Sequence, residues 1–171
     1  MLEKINIWCI IKDHLSTLKN DNSDKPEFKD YILFLIIPYI IPLVLLCGFD
    51  LFLSDSLINI LITILAIFVG LLLNVMVVIF DIIKKNEKTV KLRLIKETYS
   101  NISFAILLSI ITIIPLIVCY LPNTSNKLSI KITLMISNGL SYYFLVLFFI
   151  TLLMIVRRIH VILTDEISNT N

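Results

Sequence analysis

The sequence predicts an all-α integral membrane protein with four transmembrane helices, and three observations carry that prediction. Of 171 residues, 58% are apolar and only 16% are charged, with a mean hydropathy of +0.95, whereas soluble domains carry about 25% charged residues. Charges largely avoid four blocks, about 31–53, 57–80, 101–121 and 132–156, each near or above the roughly 20 apolar residues that cross a hydrocarbon core. Within each block the apolar run is continuous, not alternating, and three glycines and five prolines leave little for the repeated turns of a β-barrel.

Residues 1–30 come first and hold eleven charged side chains, so the first apolar block does not read as a cleavable signal peptide and is expected to stay in the mature chain. In "INIWCIIKDHLSTLKND", Ile5, Trp8, Ile11, Leu15 and Leu18 recur at helical spacing with Lys4, Lys12, Asp13 and Lys19 between them. This spacing predicts an amphipathic helix that is too short and too charged to span. Lying in the membrane interface and packing on the protein's own cytoplasmic loop are both open to it. A turn then leads to the first block, where Pro38 and Pro42 each remove a backbone donor and bend the helix. Pro115 is expected to kink the third helix in the same way.

Orientation follows from charge. Loop 82–100 carries Lys84, Lys85, Lys88, Lys91, Arg93 and Lys96 against two acidic residues, while the region of the short 54–56 turn offers Asp50 and Asp55 and no cation. The positive-inside rule puts the basic loop in the cytoplasm. With four spans both termini are then cytoplasmic, in agreement with Arg157 and Arg158 at the end of the last block. The domain division is residues 1–30 as cytoplasmic helix and turn, 31–156 as membrane domain and 157–171 as cytoplasmic tail. The basic residues are candidate contacts for membrane lipid or for a cytosolic sensor or effector. Lacking interleaved aromatics, the loop does not suggest direct nucleic-acid binding.

The second block has one distinctive line. Asn59, Thr63, Ala66, Gly70, Asn74, Val77 and Asp81 follow one another at steps of three and four; the other faces are Leu, Ile, Val, Phe and Met. Small residues let helix backbones approach, and amides and hydroxyls bond across helices at about 0.6–2 kcal/mol each. The line is expected to face the chain's own bundle, a second copy, or a water-filled path. Weaker lines are Ala105, Ser109, Thr112 and Cys119 in the third helix, and Ser137, Asn138, Ser141 and Tyr142 in the fourth.

Chemistry that needs a catalytic or metal site is not suggested. His14 and His160 lack a second ligand at metal spacing, Cys9, Cys47 and Cys119 form no paired motif, and no nucleophile-base pair, phosphate loop or dinucleotide fingerprint is present. No enzyme, cofactor or metal is expected.

The outline as a whole, with an amphipathic lead-in, four spans in under 200 residues and a "GLLLN" centre at Gly70 to Asn74, resembles the small four-span membrane components of bacterial anti-phage defence systems. That resemblance implies a multi-pass protein of the bacterial cytoplasmic membrane, a homo-oligomer that forms a pore, disrupts the membrane or anchors a cytosolic partner. Two other classes fit the outline: an immunity protein against a pore-forming bacteriocin, and a small transporter or assembly subunit.

Overall fold

The computed structural model describes residues 7–17, 34, 36–85, 90–120 and 128–168. Among these the chain is almost entirely helical, with no strand. In chain order the helices are α1 (Ile7–Ser16), α2 (Ile37–Leu43, continued by a π-helical segment Val44–Gly48), α3 (Asp55–Lys85), α4 (Val90–Tyr120) and α5 (Leu128–Ser168).

Three of them are long and apolar enough to cross a membrane: Asp55–Asp81, Leu92–Tyr120 and Ile130–Thr164. At a rise of 1.5 Å per residue the shortest is about 40 Å long, more than a hydrocarbon core of about 30 Å. The first apolar block differs from the continuous 31–53 helix that hydropathy predicts. Its described helix is Ile37–Gly48, which reaches about 18 Å; residues 31–33 and 35 lie outside the described set. Local chemistry accounts for the interruption. Pro38 stands in the first helical turn, where its missing donor is harmless, but Pro42 lies inside the helix and removes a ladder bond. The Val44 N–H, just past it, is shared between the carbonyls of Ile40 and Ile41, and the backbone widens into the π segment. Asp50 then takes the left-handed conformation, φ 49°, which Asp tolerates better than most residues. The Leu51 N–H closes back on the Leu45 carbonyl at 3.0 Å.

The exit from α2 is held by α5. Asn138 Oδ1 accepts the Leu53 N–H at 2.9 Å, and its amide nitrogen donates to the Leu134 carbonyl. The Tyr142 hydroxyl donates to the Leu51 carbonyl at 3.3 Å. Ser54 then starts α3, its Oγ accepting the Leu57 N–H at 3.4 Å, with Asp55 in the first turn where the helix dipole favours an anion.

α4 is the hub of the packing: α5 and α3 lie against it, α1 lies on its N-terminal part, and α2 packs on α5. α3 contributes Ile58, Leu65, Leu72 and Ile79, all buried and seven residues apart, a single seam. α4 and α5 bury a mixture of large apolar residues such as Ile102, Leu116, Phe148 and Ile155 with Thr98, Ala105, Ser109, Thr112, Ser137, Ser141 and Thr151. The hydroxyls of Thr98, Ser109, Thr112 and Thr151 each donate to the carbonyl four residues earlier, at 2.6 to 2.9 Å. Satisfied this way, they behave as small, nearly apolar spacers. Pro115 is buried within α4, which continues past it to Tyr120. α4 and α5 also outrun the expected span limits, α4 starting at Val90 and α5 ending at Ser168; the basic loop and the tail are thus partly helical.

Asn138→Leu should release the Leu53 N–H from its only side-chain acceptor among the described residues. A fall in stability of about 1–3 kcal/mol is expected, read as a lower midpoint of thermal unfolding in detergent micelles, with Ser137→Ala changing it far less.

Candidate functional site

Two features stand out, and the first is the line on α3. Asn59, Thr63, Ala66, Gly70, Asn74, Val77 and Asp81 are all exposed on the surface of the chain, on the opposite side of α3 from its Ile58–Leu65–Leu72–Ile79 seam. Of the directions open to it from sequence, the chain's own bundle is therefore not the one it takes. Thr63 satisfies its own hydroxyl, donating to the Asn59 carbonyl at 2.8 Å. A carboxamide carries two donors and an acceptor, and no hydrogen bond to the Asn59 or Asn74 side chain is seen among the described residues. Gly70 is equally unexplained from within: a Cβ built there meets nothing within 4 Å. A helical glycine costs about 0.5–1 kcal/mol relative to alanine, and here no internal contact offsets it. Gly139 on α5 is different, because a Cβ there would lie 3.3 Å from Leu46 Cδ1, so it lets α2 approach.

Two of the weaker lines run inward. Ser109 and Thr112 on α4 are fully buried, and so is Ser141 on α5; Asn138 is nearly so. Ser109, Thr112 and Ser141 lie within the packed interior of the bundle, and Asn138 lies at the turn before α3.

The second feature is a polar cluster that joins α1, α4 and α5 and that sequence reading did not find. α1 packs through Ile10, His14 and Thr17, one face at spacings of four and three, while Ile7, Trp8 and Leu15 remain exposed. Of the stripe that marks the helix as amphipathic, Trp8 and Leu15 are exposed while Ile11 is half-buried against the core; Ile5 and Leu18 lie outside the described residues. His14 is 1% exposed. Its ring stacks on Phe104 with centroids 3.9 Å apart and 11° between planes, and meets the Phe34 edge at 5.5 Å. Its Nδ1–H donates to Asn101 Oδ1 at 2.8 Å. That oxygen also lies 2.8 Å from the Thr17 hydroxyl, which shares its proton with the His14 carbonyl at 2.7 Å. Two buried nitrogens, His14 Nε2 and Asn101 Nδ2, find no partner among the described residues. Burial lowers the His14 pKa to about 4, the Asn101 hydrogen bond opposes that shift, and the Arg158 charge adds to it. The ring is therefore neutral at pH 7.

Arg158 completes the cluster. One guanidinium nitrogen pairs with Glu97 on α4, and another donates to the Thr17 carbonyl at 2.8 Å. Glu97 also pairs with Arg93 one helical turn earlier, at 3.0 Å. Charge on Arg158 pointed to a headgroup anchor; its side chain is only 15% exposed and turned into the protein. Arg157 and Lys96 are exposed. The side chains of Lys84, Lys85, Lys88 and Lys91 lie outside the described residues. Beside the cluster a cleft of about 470 Å³ opens between α1 and α4, lined by Asp13, Ser16, Thr17, Lys96, Ser100 and Ser103 among others.

Sequence contained part of this signal. His14 stands on the one face of α1 whose other members, Ile10 and Thr17, are small or apolar, and Asn101 opens an otherwise apolar block. Their pairing across 87 positions has no local trace.

Glu97→Ala leaves the half-buried Arg158 guanidinium without its carboxylate and should cost about 1–3 kcal/mol in thermal unfolding. The double exchange Glu97→Arg with Arg158→Glu should recover part of that loss, which distinguishes the ion pair from simple packing. Compared with known protein families, with curated proteins and with solved structures, the chain matches none.

Proposed function

We propose that the protein is a multi-pass component of the bacterial cytoplasmic membrane that works as a homo-oligomer, joined through the outward face of α3. In this reading it acts as a pore-forming or membrane-disrupting effector in anti-phage defence. The observation that supports assembly is the unexplained α3 face: exposed amides at Asn59 and Asn74 flank a glycine that nothing inside the chain requires. Hydrocarbon offers such amides no partner, and leaving them unbonded costs several kcal/mol. A second copy inserted in the same orientation presents the same residues at the same depth. Asn74 then meets Asn74, each amide able to donate and accept, and Gly70 allows the backbones close approach.

Asp81 sits on the same face, eleven residues beyond Gly70. Helices crossing at Gly70 at about 40° are about 11 Å further apart there, given 1.5 Å per residue, so the carboxylates are not forced together. Where several copies meet, a ring of such carboxylates attracts cations. Any conducting path runs between copies, because within one copy Phe148, Leu65, Ile102 and Leu116 fill the space. Residues 31–53 complete a fourth span in this proposal, with loop 82–100 and both termini on the cytoplasmic side, as the charge asymmetry favours. The defence role itself rests on the resemblance in outline.

Reconstitution in liposomes tests the reading. The purified protein should release a trapped ion and crosslink to itself, and Gly70→Leu and Asn74→Leu should each reduce both signals at least tenfold while Val78→Leu leaves them unchanged. Self-association without leakage would move the reading from pore to membrane anchor; leakage unaltered by both substitutions would remove α3 from it.

A further inference from the structure

We propose that the contact between His14 and Asn101 is a proton-sensitive latch that holds α1 on α4 while the imidazole is neutral and releases α1 when the imidazole is charged. The geometry carries this independently of the proposed assembly. His14 is the deepest residue of α1, clasped between Phe104 and Phe34, and its sole hydrogen-bond partner among the described residues is a neutral amide oxygen. The other ring nitrogen is buried with no acceptor among the described residues. Protonating it creates a cation whose new N–H points at nothing, and a buried unpaired charge is the most costly state a side chain can take.

Among the described residues, surrounding charges do not repair this. From α5 comes Arg158, a like charge that opposes protonation. From α4 come Glu97, already engaged by Arg158 and Arg93, and Lys96 at the cleft; Asp13, on α1 itself, also lines that cleft. Phe34 itself brings only a ring edge.

The rest of α1 is poorly held. It is a ten-residue helix, too short to be stable alone, and Trp8, Leu15 and Ile7 gain nothing from docking because they stay exposed. Of its inward residues, Ile10 and Ile11 are only half-buried against the core, and Thr17 bonds the same Asn101 oxygen as His14 while its carbonyl accepts from Arg158. Protonation therefore strikes the residue on which docking depends most. Docked, the ring has a pKa of about 4; free, it returns to 6.5. Because the docked value is the lower one, docking is at full strength above pH 6.5 and is lost progressively as pH falls from 6.5 toward 4. Between pH 7.5 and pH 5 the docking equilibrium weakens about 30-fold.

Amide hydrogen exchange on the full chain in lipid nanodiscs, corrected for the intrinsic effect of pH, reads this directly. Protection of residues 10–17 should fall about 30-fold from pH 7.5 to pH 5, and α4 residues 105–116 should not change. His14→Phe keeps an aromatic ring between Phe104 and Phe34 and cannot take a proton, so its α1 protection should be independent of pH. Asn101→Asp supplies a carboxylate to the imidazolium, and its protection should rise as pH falls, the opposite sign. Protection of α1 in the unaltered protein that stays constant overturns the latch, as does the same fall in His14→Phe. Should His14→Phe fail to dock at all, the inverted slope of Asn101→Asp decides: a slope unchanged in sign overturns the proposal.

Discussion

A polar group placed in hydrocarbon must find its partner within protein, and the way α4 meets that constraint shapes the whole chain. Thr98, Ser109 and Thr112 turn their hydroxyls back onto their own helix, so at these positions what α4 presents to its neighbours is small and already satisfied. Close packing becomes compatible with a polar composition. Leu116, Ile102 and Leu108 interleave with these small positions, and α5 answers with Ser137, Ser141 and Thr151 beside Phe148 and Leu145. Where a side chain cannot satisfy itself, as with Asn138 and Asn101, it is placed where the backbone or another element supplies the missing group: the irregular turn at Leu53 for one, the docked α1 for the other.

α3 meets the same constraint differently. Only 17% of its most apolar stretch is buried, against 44% for α4 and 39% for α5, and the buried share is the single Ile58–Leu65–Leu72–Ile79 seam. That seam is purely apolar, so α3 is attached to the rest mainly by packing, with a T-shaped contact between Phe68 and Phe148 reaching across to α5 and one weak bond from the Ser103 hydroxyl to Met76 Sδ at 3.9 Å. Its amides and its glycine are all on the far side. Had the helix been rotated by half a turn, Asn74 would have entered the interface with α4, where Ser103 and Thr112 show that polar groups are accommodated. The helix instead keeps two opposite faces, one that binds inside the chain and one that holds every group in need of a partner.

Hydropathy made the three long helices legible, because a run such as Leu57 to Phe80 has no alternative burial that uses all its faces. In the first block, hydropathy over 31–53 does not register that the described helix stops before Asp50, where the chain turns, or that Pro42 removes a ladder bond within it; these are single-residue events. Periodicity was informative in a limited way. It shows that Asn59 through Asp81 form one line, and likewise Ala105 through Cys119, yet a line has no sign. The two resemble each other in sequence and point oppositely in the structure, since direction depends on which neighbour lies on which side. In α1 the apolar spacing of Trp8, Ile11 and Leu15 identified the helix, while the packed face is Ile10, Ile11, His14 and Thr17, its polar members meeting Asn101 and Arg158.

The cluster at α1 divides into two halves with different chemistry. Arg158 joins α5 to α4 through Glu97, and to α1 only through the Thr17 carbonyl. The first link is an ion pair between α4 and α5 that does not involve α1. The second link is a hydrogen bond to a neutral acceptor, and beside it stands a histidine that docks only when uncharged. Arg158 thus does two opposed things: it donates a bond that steadies α1, and its charge raises the cost of any proton on His14. A lysine at 158 would keep the charge but lose the planar fork that reaches Glu97 and Thr17 from separate nitrogens. The arrangement needs a guanidinium because one side chain must hold two elements together and, conditionally, a third.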